Sequence, residues 1–188
     1  MKKLSLALLI ISFSMMNAQE NSVKKNSFFG IQAGLFGANI YNETLLSKEF
    51  ALRSEIDFEA SIWGGDLYSK TGFALAPELS ISPKWYYSLN KRENKGKDTN
   101  YNSANYISAR VGFTPDWFVI SNVDGIKVNP MLSIVPTWGL RRNFAKNFNY
   151  EFQVGLGVGK ILKPGYDIQA VPNLSFRIGS VSYTHLTL

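Results

Sequence analysis

Residues Phe50–Trp63 alternate with a period of two. Phe50, Leu52, Ser54, Ile56, Phe58, Ala60 and Ile62 share one parity, and Ala51, Arg53, Glu55, Asp57, Glu59, Ser61 and Trp63 share the other. Successive side chains of a β-strand point to opposite faces. One face is therefore almost wholly apolar, while its reverse carries four charges. At helical spacing the same charges would be scattered around the whole cylinder, so the segment reads as a strand.

The pattern recurs along the chain. In 75–89, Leu75, Pro77, Leu79, Ile81, Pro83, Trp85, Tyr87 and Leu89 alternate with Ala76, Glu78, Ser80, Ser82, Lys84, Tyr86 and Ser88. In 126–141 the even positions are apolar, and the odd ones carry Lys127, Asn129, Ser133, Thr137, Gly139 and Arg141 among others. Residues 107–113 turn Ser108, Arg110 and Gly112 to the polar side, 150–158 turn Glu151, Gln153, Gly155 and Gly157, and 168–178 turn Gln169, Asn173, Ser175 and Arg177. A seventh segment, 29–41, is rich in glycine and its register is open.

Length and polarity set the class. Strands of soluble proteins average about five to six residues, and a tilted membrane strand needs roughly 9–11, whereas several of these segments are longer still. No amphipathic helix is visible that could cover six apolar strand faces. The expected fold is an all-β, antiparallel, up-and-down transmembrane β-barrel of about eight strands, with lipid on the apolar side and a narrow lumen on the polar side. Arg53, Lys84, Arg110, Lys127, Arg141 and Arg177 then face Glu55, Asp57, Glu59, Glu78 and Glu151 inside, a nearly neutral set. Confined charges must be paired, so a packed ionic network is expected. Trp85, Tyr87, Trp117, Trp138 and Tyr150 lie near segment ends, where an aromatic girdle would meet the water interface.

The N-terminus reads as an export signal. Lys2 and Lys3 precede an apolar run to Met16, and small residues lead to expected cleavage near Ala18. The expected organisation is a signal peptide (1–18), a short leader (19–27) and a barrel (28–180). The last eight residues, Val181-Ser-Tyr-Thr-His-Leu-Thr-Leu188, resemble a translated sequencing-library adapter, which places 181–188 and the sole histidine, His185, outside the expected domain. The chain has no cysteine, so disulfides, a thiol nucleophile and a lipoprotein anchor are excluded. Net charge is +6 and falls by two without Lys2 and Lys3. That mild excess, interleaved with apolar residues, is not a nucleic-acid footprint.

Leu52-Arg-Ser-Glu-Ile56, Pro83-Lys-Trp-Tyr-Tyr-Ser-Leu-Asn-Lys-Arg92, Asp116-Trp-Phe-Val-Ile-Ser121 and Pro136-Thr-Trp-Gly-Leu-Arg-Arg142 resemble outer-membrane β-barrel domain proteins of Bacteroidota, small porin-like or OmpA-like barrels without assigned activity. The resemblance implies an outer-membrane location, lipid and lipopolysaccharide as surroundings, and handling by the barrel-assembly machinery. Arg177-Ile-Gly179 resembles the start of the terminal assembly signal, and a monomer is expected.

Three functional readings follow. The first is a structural or surface-interaction barrel whose lumen is plugged by side chains, as about eight strands permit. The second is a narrow pore lined by Arg53, Glu55, Asp57, Glu59, Arg110 and Arg141, with Gly155, Gly157 and Gly159 leaving room. The third, a lipid-modifying enzyme, lacks a histidine base in the expected domain, so no catalytic residue and no cofactor are assigned. Without histidine or cysteine only carboxylates could hold a metal; Glu55, Asp57 and Glu59 could gather a hard cation but are expected to pair with Arg53 and Arg110. Two features resist the scheme. Pro77, Pro83, Pro115, Pro130, Pro136 and Pro172 fall within or beside expected strands, where proline removes a ladder hydrogen bond. Seven strands are visible where an even number is expected; the eighth lies in the leader, in a split of 29–41, or past the terminal segment.

Overall fold

A computed structural model describes residues 27–64 and 71–183. The expected signal peptide, nearly all of the leader and His185 lie outside the described residues. Nine strands form one antiparallel sheet: β1 Ser27–Gly34, β2 Gly37–Leu45, β3 Phe50–Trp63, β4 Gly72–Trp85, β5 Asn105–Thr114, β6 Ile120–Ser121, β7 Met131–Ala145, β8 Phe148–Ile161 and β9 Ile168–Tyr183. All except the two-residue β6 join in chain order into a barrel-like ring of eight, closed where β9 pairs with β1. The period-two reading of an all-β, antiparallel, up-and-down architecture is thus what the chain adopts.

The eighth strand arises by splitting 29–41. Gly34 pairs with Gly37 across a two-residue turn at Leu35 and Phe36. Gly37 sits at φ 126°, where a side chain is strained, and a Cβ there would strike the backbone of Phe58. β2 then runs to Leu45, past Tyr41, where the seventh segment was expected to end. β7 starts at Met131 rather than at 126, so Lys127 leaves the lumen wall and stands exposed beyond the strand. β9 continues past Ile178 in register with β1, and Val181 is buried beside Phe28 and Tyr41.

Burial follows the predicted parity. Arg53 and Arg141 are wholly buried, whereas the outward Ile31, Ile56, Ile81 and Ile134 are about half exposed. The molecule has its charges inside and its aliphatic residues outside, the reverse of a water-soluble barrel.

One end of the ring carries the start of β1, the end of β9 and the connections after β2, β4 and β7. There β4 ends at Trp85, so Tyr86–Leu89, expected to continue the strand, belong to the connection, and residues 86–104 fold inward. They contain a five-residue helix, α1 (Leu89–Glu93), absent from the sequence-based expectation, and a 3₁₀ turn at Asn100–Asn102. Tyr86, Leu89 and Ala104 pack with Ala51 and Tyr106 into a small apolar core that closes this end. The basic stretch Lys91–Lys97 stays largely exposed, as a solvated connection should be. The other end, carrying the connections after β1, β3, β5 and β8, is more open.

The prolines sit at breaks in the ladders. The β4–β5 pairing is interrupted between Ile81 and Lys84, at Pro83, and the β7–β8 pairing between Ile134 and Thr137, at Pro136. At Pro77, β4 has left β5 and has not yet met β6. Pro115 and Pro130 flank strand ends, and Pro172 lies where β9 has no β1 partner. A residue without an N–H costs nothing where no ladder bond is made.

Candidate functional site

The period-two strands aim their polar parity at a common axis, and the register stacks those side chains into two layers. The layer nearer the closed end centres on Glu151 of β8. Its carboxylate accepts hydrogen bonds from Arg53 Nη1 (2.7 Å), Lys84 Nζ (2.8 Å), Arg141 Nη2 (3.0 Å) and Gln32 Nε2 (3.1 Å), and from the Tyr106 hydroxyl. Glu43 of β2 faces the same cations, with Arg141 Nη2 at 3.1 Å and Arg53 and Lys84 just under 4 Å. Tyr86, in the connection behind, donates its hydroxyl to Glu43 Oε1 at 2.7 Å. Burial pushes the Tyr86 pKa well above its usual value, which keeps that donor protonated.

The second layer lies toward the open end. Arg53 Nη2 meets Glu55 at 2.7 Å and links the layers. Arg110 is shared by Asp57 (2.8 Å) and Glu78, and Arg177 by Asp57 (3.2 Å) and Glu55 (3.7 Å). Glu59, nearest the mouth, lies 3.8 Å from Arg110 with its side chain about half exposed. Leaving Glu59 aside, five buried carboxylates face Arg53, Lys84, Arg110, Arg141 and Arg177. That balance is needed, because removing one member of a buried pair leaves a desolvated charge worth roughly 3–5 kcal/mol of destabilisation.

Glycines make the seats. A Cβ at Gly30 would lie inside the Tyr41 ring, and that ring supports the Arg53 guanidinium at 3.6 Å. Gly139 seats Tyr106, over which Lys84 Nζ lies at 4.1 Å. Gly112 receives Glu78. By contrast, a Cβ on Gly155 or Gly157 would meet the backbone of β7. They bring two strands together and do not open the space expected of them.

The structure thus gathers Arg53, Glu55, Asp57, Glu78, Lys84, Arg110, Arg141, Glu151 and Arg177, with Glu59 at the margin. Glu55 and Asp57 are engaged by arginines, and Glu59 stands near one, where a hard-cation site had been weighed. Lys127 does not join. Glu43, Gln32, Asn39, Tyr41, Tyr86 and Tyr106 belong to the network but were not assigned to it from sequence; continuing the alternation Asn39, Tyr41, Glu43 past the expected end of the segment at Tyr41 would have found Glu43.

Four of the five girdle aromatics lie at the closed end. Trp85 stacks on Phe50, Tyr87 contacts Trp85, and Trp138 Nε1 donates to the Tyr87 hydroxyl at 2.8 Å. Tyr150 packs with Phe144 and Phe176. Trp117 stands apart at the open end, exposed beside Phe118, which packs on Phe58.

No family model and no curated protein matches this chain. Function therefore has to be read from the inverted polarity and the filled lumen.

Proposed function

We propose that the chain is a small outer-membrane β-barrel of the Bacteroidota type, set with its aliphatic face in lipid and closed by its ion-pair network, serving as a structural or surface-interaction element. The observation that carries this reading is the inversion: buried arginine, lysine and carboxylate inside, half-exposed isoleucine, leucine, valine and phenylalanine outside. Such a face in water would be an apolar surface far beyond what monomers tolerate. In a bilayer it is the expected solvent contact, and closure of the ring satisfies most of the backbone.

An even ring puts the start of β1 and the end of β9 on one side, which we take as periplasmic, with the inserted 86–104 segment as a plug beneath the lumen. The pore reading is less well supported, because Arg53, Lys84, Arg141, Tyr41, Tyr86 and Tyr106 are all fully buried across the channel axis. The buried lumenal acids, Glu59 aside, are likewise engaged by cations and hydroxyls, which gives the enzyme reading little support.

The test is refolding into vesicles, a heat-dependent gel-mobility shift to verify the folded barrel, and planar-bilayer recording. A folded, electrically silent barrel is expected. Discrete openings that change with Arg53→Ala would overturn the plug in favour of a pore, and failure to insert would overturn the membrane reading itself.

A further inference from the structure

We infer that the open end of the ring forms a binding cup for a cationic amphiphile, reached sideways through a gap in the wall. The β1–β2 hairpin turns back early, at Leu35 and Phe36, while its neighbours run on. Pairing of β2 with β3 ends at Glu59, and pairing of β1 with β9 ends at Arg177. Beyond those points, residues 168–176 of β9 and 61–63 of β3 have no strand partner on the sides facing each other among the described residues; Ala60 N–H is satisfied by Phe36 C=O at 3.1 Å. The opening is a cavity of about 320 Å³, with Phe36, Ala60, Leu174 and Phe176 toward the outer surface and Glu59 and Arg177 toward the lumen.

Inside the same end, beyond the Asp57, Glu78 and Arg110 layer, lies a second cavity of about 740 Å³. Its lining is more apolar than the charged lumen below it: Trp63, Ala74, Ala76, Val119, Val128 and Met131 border it, beside the polar Ser61, Thr114 and Asn129. Both volumes are of the size that takes small ligands. Glu59 lines both, so the two spaces adjoin at this residue.

The charge of the occupant follows from the ledger. The buried network balances without Glu59, which is also the one inward-facing strand acid, among the described residues, with a half-exposed side chain. An alkylammonium head at Glu59 would gain an ion pair, with its chain running into the apolar cup toward Trp63. Lys127 also borders the cup, but on an exposed connection and not on the wall at the junction. The gap is guarded against a strand as occupant. Counting hydrogen-bonded pairs from the Gly34–Gly37 hairpin, even-numbered residues of β9 direct their N–H toward the gap, and Pro172 removes one of those donors, the usual way an exposed edge is blunted.

Sideways access rests on the proposal that the outer face lies in lipid, so the experiment checks insertion first. The chain is refolded into lipid nanodiscs, its heat-dependent mobility verified, and Trp85, Trp117 and Trp138 are replaced by Phe, leaving Trp63 as the reporter. Quenching is then titrated with 12-bromododecylammonium, 12-bromododecanol and 12-bromododecanoate. The ammonium should bind about fivefold more tightly than the alcohol, the factor a half-exposed ion pair supplies. Glu59→Gln should erase that preference, and Ala76→Phe should abolish quenching by filling the cup. Equal quenching by all three, preference for the carboxylate, or indifference to Glu59→Gln in a folded barrel would overturn the cup alone. Failure to insert would overturn the membrane reading together with it.

Discussion

Glu151→Gln is the sharpest test of the lumenal network. The substitution keeps shape and removes one negative charge from a site that holds three cations within 3.0 Å of the carboxylate. Glu43 remains, but Arg53 and Lys84 are 3.8 and 3.9 Å from it, and only Arg141 is closely served at 3.1 Å. At least one desolvated cation is left without a near partner, a loss of roughly 3–5 kcal/mol, or some hundred- to several-thousand-fold in the folding equilibrium. Urea-induced unfolding in lipid vesicles, with folded fraction read by gel mobility, measures it. Glu59→Gln is the matched control: its half-exposed pair at 3.8 Å should cost at most about 1 kcal/mol. Adding Lys84→Met to Glu151→Gln should recover part of the loss through coupling between neighbours. If Glu151→Gln unfolds within about 1 kcal/mol of wild type, the lumen is hydrated enough to screen its charges, and the packed-plug argument fails.

Ile134→Arg on the outward face of β7 should cost roughly 2–4 kcal/mol if that face is in lipid, but within about 0.5 kcal/mol if it is in water, by the same unfolding assay. Gly139→Ala should destabilise by about 1–3 kcal/mol, because the new methyl falls on the Tyr106 ring; an unchanged midpoint would mean the ring is not seated there. Pro172→Ala restores an N–H at the open β9 edge and should raise the fraction of dimer in cross-linking, whereas wild type stays monomeric.

The side-chain parity of this fold was open to inspection because a strand exposed to two unlike media writes the difference into every second residue. Arg53, Glu55, Asp57 and Glu151 could be placed for that reason alone. The signal failed where another local rule masked it. Leu35 and Phe36 are apolar, so the turn between Gly34 and Gly37 lacks the polar composition that marks most turns, and two strands read as one. Asn42 and Glu43 have turn composition yet belong to β2, and so the second carboxylate of the network was missed. Lys127 kept the right parity, but Pro130 ends the alternation that matters and β7 begins after it. The inward fold of 86–104 buries Tyr86, Leu89, Asn102, Ser103 and Ala104, too few and too irregularly spaced to form a pattern.

The seam between β1 and β9 joins the two most distant strands of the ring, and only Phe28 to Gly34 of β1 take part. Loop-closure entropy makes such a contact the dearest to form early, so adjacent hairpins should assemble before it. Interactions made only at the seam, such as Gln32 with Asn149 and Glu151 or Val181 with Phe28 and Tyr41, would then be absent from the folding transition state. Weakening them would leave the rate of folding nearly unchanged and hasten unfolding, so the lifetime of the closed ring is set at the joint that forms last.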